Sequence, residues 1–298
     1  MLLLTGATGL VGSALLPRLL ADGIEVRCMV RDPRRLGAQR VRVQIALGDL
    51  TDPPSFRNAL RGVHTVVHLA ASIRDQPRGS IEELNGIATW RMVEAAERQG
   101  VERFVLFSAL GASTHHRARL LRAKALAERA VREANVHSIV FAPSIVYAPG
   151  DPWLALLERL ALLPAMPVSG RGRAAFQPIW ADDVAACVIG ALRASSAGPA
   201  QADRRERYEL AGPETLSHSE LVRTLVRSLD RTRPLVHVPT PIVSRALRAI
   251  ERLAGSSAFA TWDEAELMET SMISARGAAD AEALGVRPQR MAAVLGAA

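Results

Sequence analysis

Short apolar runs alternate with segments of helical periodicity through the first half of the chain. The apolar runs predict strands at Leu2–Thr5, Glu25–Val30, Val41–Ala46, Thr65–Ala70, Arg103–Ser108 and His137–Phe141. Apolar residues spaced three or four apart predict intervening helices at Leu10–Ala21, Ile81–Arg98 and Arg117–Glu133. Continuous apolar strands that alternate with helices are typical of a parallel sheet covered on both faces. The pattern therefore predicts an α/β fold with a doubly wound sheet in the strand order 3-2-1-4-5-6.

The pattern changes after Gly150, where proline and glycine interrupt the sequence more often. Residues 1–150 are predicted to form the sheet domain, to which 176–195 return, whereas 151–175 and 196–298 form a smaller C-terminal α/β lobe that would contact substrate or partner. The elements predicted here are helices at Asp151–Leu163, from Asp182 or Asp183 to Arg193, Ser217–Leu229 and Pro241–Ala254, strands at Ile179–Trp180 and Tyr208–Ala211, and a polar loop at Ser195–Arg207.

Composition narrows the class of protein. The 298 residues are 49% hydrophobic and 22% charged, which is ordinary for a globular protein. Cys28 and Cys187 lie in apolar stretches and are expected to be buried thiols in a reducing compartment. His115 and His116 are adjacent, so their side chains diverge, and no metal site is predicted. Met1–Leu4 is interpreted as a strand rather than a signal peptide, and a cytoplasmic location is expected.

The formal net charge of +7 is compatible with a nucleic acid, an anionic membrane or an anionic ligand. The basic residues are spread along the chain and few aromatics are present for base stacking, so nucleic acid is not expected as a partner. The segment 241–254 could lie on a membrane surface, but a core-facing helix with a basic outer face is preferred. Of the 37 basic residues, all but Lys124 are arginines, which is either chance or a sign that this position needs a compact ammonium.

A glycine motif, Thr5-Gly6-Ala7-Thr8-Gly9-Leu10-Val11-Gly12, lies between the first strand and the first helix. Gly6 permits a tight turn, Gly9 allows the backbone to approach a pyrophosphate, and Gly12 allows close packing of the helix on the strand. The helix N-terminus offers unpaired N–H groups and a positive dipole end to phosphates. Residues 1–150 are therefore predicted to be an NAD(P)-binding Rossmann domain. The motif residues expected to bind the cofactor are Gly6, Thr8, Gly9, Leu10, Val11 and Gly12.

The end of the second strand bears on the choice between NAD(H) and NADP(H). An acid at this position would hold the 2′-hydroxyl of NAD, and Asp32 could do so. Arg31 could instead pair with a 2′-phosphate, and Arg34 and Arg35 follow it. The cluster favours NADP(H), with NAD(H) possible. The alternative for Arg34 and Arg35 is a solvated charged turn.

Four further stretches complete a resemblance to a known superfamily: Gly48-Asp49-Leu50, Val66–Ala71, Gly100–Val105 and Pro143–Asp151. With the glycine motif, they make the chain resemble the extended and atypical short-chain dehydrogenase/reductase superfamily, which is epimerase/dehydratase-like. The stretch Gln177–Ala185 is similar to the branch that contains the nucleotide-binding accessory subunit of respiratory complex I and its bacterial relatives. The resemblance extends over essentially the whole chain.

The resemblance implies roles for individual residues. Asp49 would accept a hydrogen bond from the adenine amino group, or else cap a turn, and Ser108 would be a substrate-side hydroxyl, or else a strand-end hydrogen-bond partner. Lys124 would hold the nicotinamide ribose. For Asp183 a helix N-cap is preferred. The other positions implied to contact the cofactor are Leu50 beside adenine, Ala70 and Ala71 along the ribose, and Pro143 and Ser144 beside the nicotinamide.

One departure concerns catalysis. Catalytic members of the superfamily carry Tyr-x-x-x-Lys, in which the tyrosine is the general acid, but here Leu120 precedes Lys124 by four positions and cannot donate a proton. Tyr147, or His115 or His116, could be displaced substitutes. The catalytic candidates are therefore Lys124 and Ser108, without the usual tyrosine.

Three functions remain open. The first is an atypical NAD(P)H-dependent oxidoreductase acting on quinone-like acceptors, for which a positioned acid matters less. The second is a non-catalytic NADP(H)-binding sensor, assembly factor or accessory subunit with a protein partner. The third, an epimerase or dehydratase of sugar nucleotides, is disfavoured by Leu120.

Overall fold

The computed structural model describes residues 1–196, 205–254 and 261–296. Most of the polar loop expected at Ser195–Arg207 lies outside these residues. The strands are β1 Leu2–Thr5, β2 Val26–Val30, β3 Gln44–Leu47, β4 Thr65–His68, β5 Arg103–Phe107, β6 His137–Pro143, β7 Val146–Tyr147, β8 Met166–Ser169, β9 Ala175–Phe176, β10 Ile179–Trp180, β11 Arg205–Leu210, β12 Leu216–Ser217 and β13 Leu235–Val238. The helices are α1 Leu10–Ala21, α2 Pro53–Leu60, α3 Ala88–Arg98, α4 Arg119–Glu133, α5 Pro152–Leu160, α6 Ala181–Ser196, α7 His218–Ser228, α8 Thr240–Ala254, α9 Trp262–Leu267, α10 Ala279–Ala283 and α11 Met291–Gly296.

The central sheet has seven strands in the order β3-β2-β1-β4-β5-β6-β11, all parallel. The predicted order 3-2-1-4-5-6 is confirmed. The seventh strand differs from the expectation, because the strand near Tyr208–Ala211 was assigned to the smaller lobe. It pairs instead with β6, where Tyr208 stacks on Phe141 at 5.6 Å between ring centroids and Leu210 is fully buried.

Alternating side chains of the strands fill two separate cores, one on each face of the sheet. Leu2 and Leu4 point to the face covered by α1 and α6, and Leu3 points to the face covered by α2, α3 and α4. Arg18 of α1 forms an ion pair with Asp182 of α6 across the first face. Asp182 and Asp183 both lie in the first turn of α6, and the Asp183 carboxylate accepts from the backbone N–H of Gln289 instead of capping the helix.

Two predicted elements have different boundaries for local reasons. The chain from Pro33 to Arg42 forms 3₁₀ turns. The Asp32 carboxylate caps their first turn by accepting a hydrogen bond from the Arg34 N–H, and β3 therefore begins later than predicted. The predicted helix Ile81–Arg98 contains a π-helical segment, Glu83–Ile87, ahead of α3. Such π-helical turns occur frequently at functional sites.

The remaining chain surrounds a third core that includes Tyr147, Leu154, Phe176, Leu221 and Met272. Three strand pairs support it: β7 with β10, β8 with β13, and β9 with β12. Helix α8 packs on α9, where the Arg248 guanidinium lies 4.6 Å from the centre of the Trp262 ring. Within the described ranges, no helix is both long enough and apolar enough to cross a membrane.

Cys28 and Cys187 are buried free thiols, as the sequence predicts. Both lie in the core beneath α1 and α6, and burial raises the pKa of each thiol to about 12. Neither thiol is therefore ionised near neutral pH, and both act as small apolar core residues.

Candidate functional site

The glycine turn between β1 and α1 is shaped by close backbone contacts. Gly6 has φ of +72°, and a Cβ there would lie 2.6 Å from the Ala70 nitrogen at the end of β4. A Cβ on Gly12 would overlap the Gly6 carbonyl oxygen and lie 2.8 Å from the Ala7 Cα. Gly9 precedes α1 in an extended conformation and adds no side chain over the helix N-terminus. The turn therefore leaves the first N–H groups of α1 accessible to an anion.

A cavity of about 540 Å³ opens above the carboxyl ends of β1, β2 and β4. Its size is within the range of small-molecule and cofactor sites. Eight of the predicted cofactor residues line it: Gly6, Thr8, Gly9, Arg31, Asp49, Leu50, Ala70 and Ala71. Its lining also includes residues that were not among the predicted contacts: Ala7, Met29, Val30, Arg35, Gly48, Leu69, Ser72, Ile73, Arg74, Gln76, Leu84 and Pro152. Leu10, Val11 and Gly12 are in the first turn of α1, outside this lining.

The end of the cavity beside β2 is basic. Arg31 and Arg35 are exposed at its rim. The Asp32 carboxylate is turned to the Arg34 N–H, 2.9 Å away, where it caps the 3₁₀ turn. The Asp49 Oδ1 accepts from the Thr51 N–H and hydroxyl at 3.0 and 3.1 Å. Asp49 therefore caps a turn and also lines the cavity, so the two interpretations of this residue are compatible.

A buried polar network lies beneath the cavity and was not predicted. His68 at the end of β4 contacts the Thr5 hydroxyl through Nδ1 at 2.8 Å and the Thr89 hydroxyl through Nε2 at 3.1 Å. Burial and the Lys124 charge lower the pKa of His68 to about 3, so the ring is neutral and can both donate and accept. The sequence feature that could have indicated this network is the pair Asn85 and Thr89, two polar residues four apart on the buried face of a helix.

Asn85 in the π-helical segment holds the cavity wall in place. Its side-chain oxygen accepts from the Ser72 N–H at 3.2 Å, and its Nδ2 donates to the Ser72 carbonyl at 2.7 Å. The irregular helical turn therefore fixes the chain immediately after β4, where Ala70, Ala71 and Ser72 line the cavity.

Lys124 is buried on α4 against the end of β5. Its ammonium donates to the Phe107 carbonyl at 2.6 Å. Burial lowers the pKa of Lys124 to about 8, and the carboxylate of Glu128 opposes the shift. A lysine has three N–H donors. The contact with Phe107 therefore leaves donors for a ribose, although Lys124 is not among the residues that line the cavity.

The two other residues expected near the nicotinamide, Pro143 and Ser144, make hydrogen bonds within the protein. The Ser144 hydroxyl donates to the Met272 carbonyl at 2.7 Å and accepts from the Gln177 N–H at 3.0 Å, so it ties the C-terminal segment to β6. The Pro143 carbonyl accepts from the Leu110 N–H at 2.9 Å. The Ser108 hydroxyl is buried and makes no hydrogen bond within the described parts of the chain.

The position of the usual proton donor is occupied by a half-buried leucine, Leu120, in the first turn of α4. The Tyr147 hydroxyl is fully buried, and burial together with nearby carboxylates raises its pKa. The His116 Nδ1 accepts from the Ala118 N–H at 2.9 Å, and His115 is exposed on the preceding loop. None of Tyr147, His115 and His116 is among the residues that line the cavity.

Comparison with known proteins also indicates that this part of the chain binds a nicotinamide dinucleotide. A sequence model of a family described as NAD(P)H-binding matches residues 6–150. The chain is 30% identical over 250 residues to the mitochondrial NADH dehydrogenase (ubiquinone) 1 alpha subcomplex subunit 9 of Arabidopsis thaliana, an alignment that covers 80% of this chain and 60% of the relative. The chain thus spans less than two thirds of that relative's length. It is 28% identical to the ceramide reductase of Caulobacter vibrioides, with 80% of this chain and 73% of the relative covered.

A protein of known structure has a similar fold. A nucleoside-diphosphate-sugar epimerase of Staphylococcus aureus superposes with a TM-score of 0.79 at 18% identity, and the match covers 99% of each chain.

Proposed function

We propose that this chain, whose residues 6–150 match a family described as NAD(P)H-binding, holds NADP(H) as a stably bound ligand and does not carry out proton-assisted carbonyl reduction. In this role the bound dinucleotide maintains a surface that contacts a protein partner. The relative in Arabidopsis is named as a subunit of a larger complex, which supports a partner-binding role.

The cavity provides the contacts that a dinucleotide needs. Gly6, Thr8 and Gly9 line the cavity at the N-terminus of α1, whose first backbone N–H groups would meet the pyrophosphate, and Asp49 would accept from adenine. Lys124 would donate to the ribose beside the nicotinamide with the N–H groups that Phe107 does not use. When bound, the cofactor would supply a hydride.

NADP(H) is favoured over NAD(H) by the charges at the rim. Arg31 and Arg35 place two guanidinium groups at the adenosine end. Asp32, the residue that could hold a 2′-hydroxyl, has one carboxylate oxygen engaged by the Arg34 N–H. A 2′-phosphate carries close to two negative charges and is matched by arginine forks.

The observation that carries the proposal is Leu120, four residues before Lys124. Without a tyrosine at this position, an alkoxide formed by hydride transfer to a ketone would lack the usual proton donor of the superfamily. Tyr147 is buried, and neither it nor His115 or His116 is among the residues that line the cavity.

A second candidate is hydride transfer to a quinone-like acceptor. The Caulobacter relative is named a reductase, and Ile73 and Pro152 give the cavity an apolar wall. The product anion of a quinone is stable enough to take its proton from water, so the missing tyrosine would not prevent this reaction.

The test is to titrate the purified protein with NADPH and with NADH, following nicotinamide fluorescence, and then to add a quinone to the tighter complex. Tight NADPH binding without oxidation supports the proposal, and steady oxidation supports the second candidate. Arg31→Ala should remove the preference for NADPH, whereas Arg91→Ala, an exposed arginine on α3, should not. Failure to bind either nucleotide would refute both functions.

A further inference from the structure

We propose that Arg78, on the turn that follows β4, makes a further contact with the 2′-phosphate of NADP(H) in a cavity that Arg31 also lines. This inference rests on the proposed binding of NADP(H). Arg78 lies outside the glycine motif and outside the cluster after β2, so the usual signals of nucleotide preference do not include it.

Arg78 is presented by a tight turn. The backbones of Gln76 and Gly79 exchange two hydrogen bonds, from the Gln76 N–H to the Gly79 carbonyl at 2.9 Å and from the Gly79 N–H to the Gln76 carbonyl at 3.1 Å. Pro77 restricts φ at the second position of the turn, which is typical of β-turns. Arg78 therefore stands at the tip of a closed loop and not on a strand or helix.

The turn is packed against the adenosine side of the cavity. Gly79 is buried, and a Cβ there would lie 3.1 Å from Thr51 Cγ2 and 3.2 Å from Leu84 Cγ. Thr51 is itself held by the Asp49 carboxylate. The position of Arg78 relative to Asp49 is thus maintained by packing at the base of the turn.

A second cavity of about 440 Å³ lies at this junction, and Arg31 and Arg78 both line it. It shares a set of residues with the larger dinucleotide cavity: Arg31, Gly48, Asp49, Gln76 and Leu84. A ligand whose adenosine rests on Asp49 would place its ribose substituents near this junction.

The acid of the same loop is already paired. Asp75 forms an ion pair with Arg119, and the neighbouring Arg74 pairs with Glu264. Arg31 and Arg78 make no ion pair with any residue of the described ranges. Two guanidinium groups, one directly after β2 and one on the turn after β4, therefore line one cavity without an ion pair to Asp49, the carboxylate in the same lining, which fits a ligand with two negative charges.

The test compares NADPH with NADH, which lacks the 2′-phosphate, and 2′,5′-ADP with ADP. In Arg78→Gln, the dissociation constants for NADPH and 2′,5′-ADP should rise by about 5- to 20-fold, since the contact is charge-assisted but exposed. Those for NADH and ADP should stay within about twofold. Arg91→Gln is the matched control, and it should change none of the four constants. Arg78 is exposed, so the melting temperature should not change.

Unchanged NADPH binding in Arg78→Gln would overturn the assignment, and so would equal weakening of NADPH and NADH. The wild-type titration separates the two proposals. If the wild type prefers NADPH and Arg78→Gln keeps that preference, only the role of Arg78 is contradicted. A wild type without the preference contradicts the NADP(H) proposal itself.

Discussion

The burial of Lys124 predicts an unusual dependence of stability on pH. Burial lowers the pKa of this lysine from its ordinary 10.5 to about 8. Below about pH 8 the ammonium is charged in both the folded and unfolded chain, and its desolvation destabilises the fold by about 3 kcal/mol, at about 1.4 kcal/mol per pKa unit. Between about pH 8 and about pH 10.5 only the unfolded chain keeps the proton, so the penalty disappears as pH rises.

Lys124→Met removes the charge but keeps a long side chain. It also removes the donor to the Phe107 carbonyl, at a cost of about 1–2 kcal/mol. The variant is therefore expected to be more stable than wild type by about 1–2 kcal/mol at about pH 7 and less stable by up to about 1 kcal/mol at about pH 10, where about 1 kcal/mol of the penalty remains. It should also bind the dinucleotide more weakly.

The assay is urea unfolding of the ligand-free protein, followed by circular dichroism across this pH range. Subtracting the variant from wild type cancels the titration of the groups that do not interact with Lys124. Leu126→Met, at an exposed position of the same helix, is the control and should show no pH-dependent difference. The reasoning would be refuted if the difference in the free energy of unfolding between wild type and Lys124→Met did not change with pH over this range.

Three further predictions concern the fold. Gly12→Ala should lower the free energy of unfolding by at least about 2 kcal/mol, because its Cβ would overlap the Gly6 carbonyl oxygen; an unchanged urea midpoint would contradict this. Tyr147→Phe should be neutral or stabilising by up to about 1 kcal/mol, since within the described residues the buried hydroxyl has no hydrogen-bond partner; a large loss in thermal stability would reveal one. Arg119→Gln should destabilise by about 1–2 kcal/mol in low salt and less at high salt or acid pH, because Arg119 lowers the pKa of Glu82 and pairs with it only while that carboxylate is charged.

Near the glycine motif, the sequence predicted several of the residues that line the cavity. The turn Gly6–Gly12, Arg31 and Asp49 all follow the ends of apolar strands, and the carboxyl ends of parallel strands meet at one edge of a sheet. A local pattern is sufficient there, because each residue is placed by the strand that it follows. Ser144 shows the limit of that logic. It also follows a strand, yet its hydroxyl binds Met272, 128 residues away in the sequence.

The sequence by itself determined the α/β class, the strand order, the dinucleotide turn and the absence of a tyrosine before Lys124, since each is written in spacing or residue type. Only the tertiary structure decided that Arg205–Leu210 joins the central sheet, that the Tyr147 hydroxyl is buried, and that Arg78 shares a cavity with Arg31. The physical reason is that hydrophobic periodicity reports which face of an element is buried, whereas burial partners and pairing depend on contacts between distant segments.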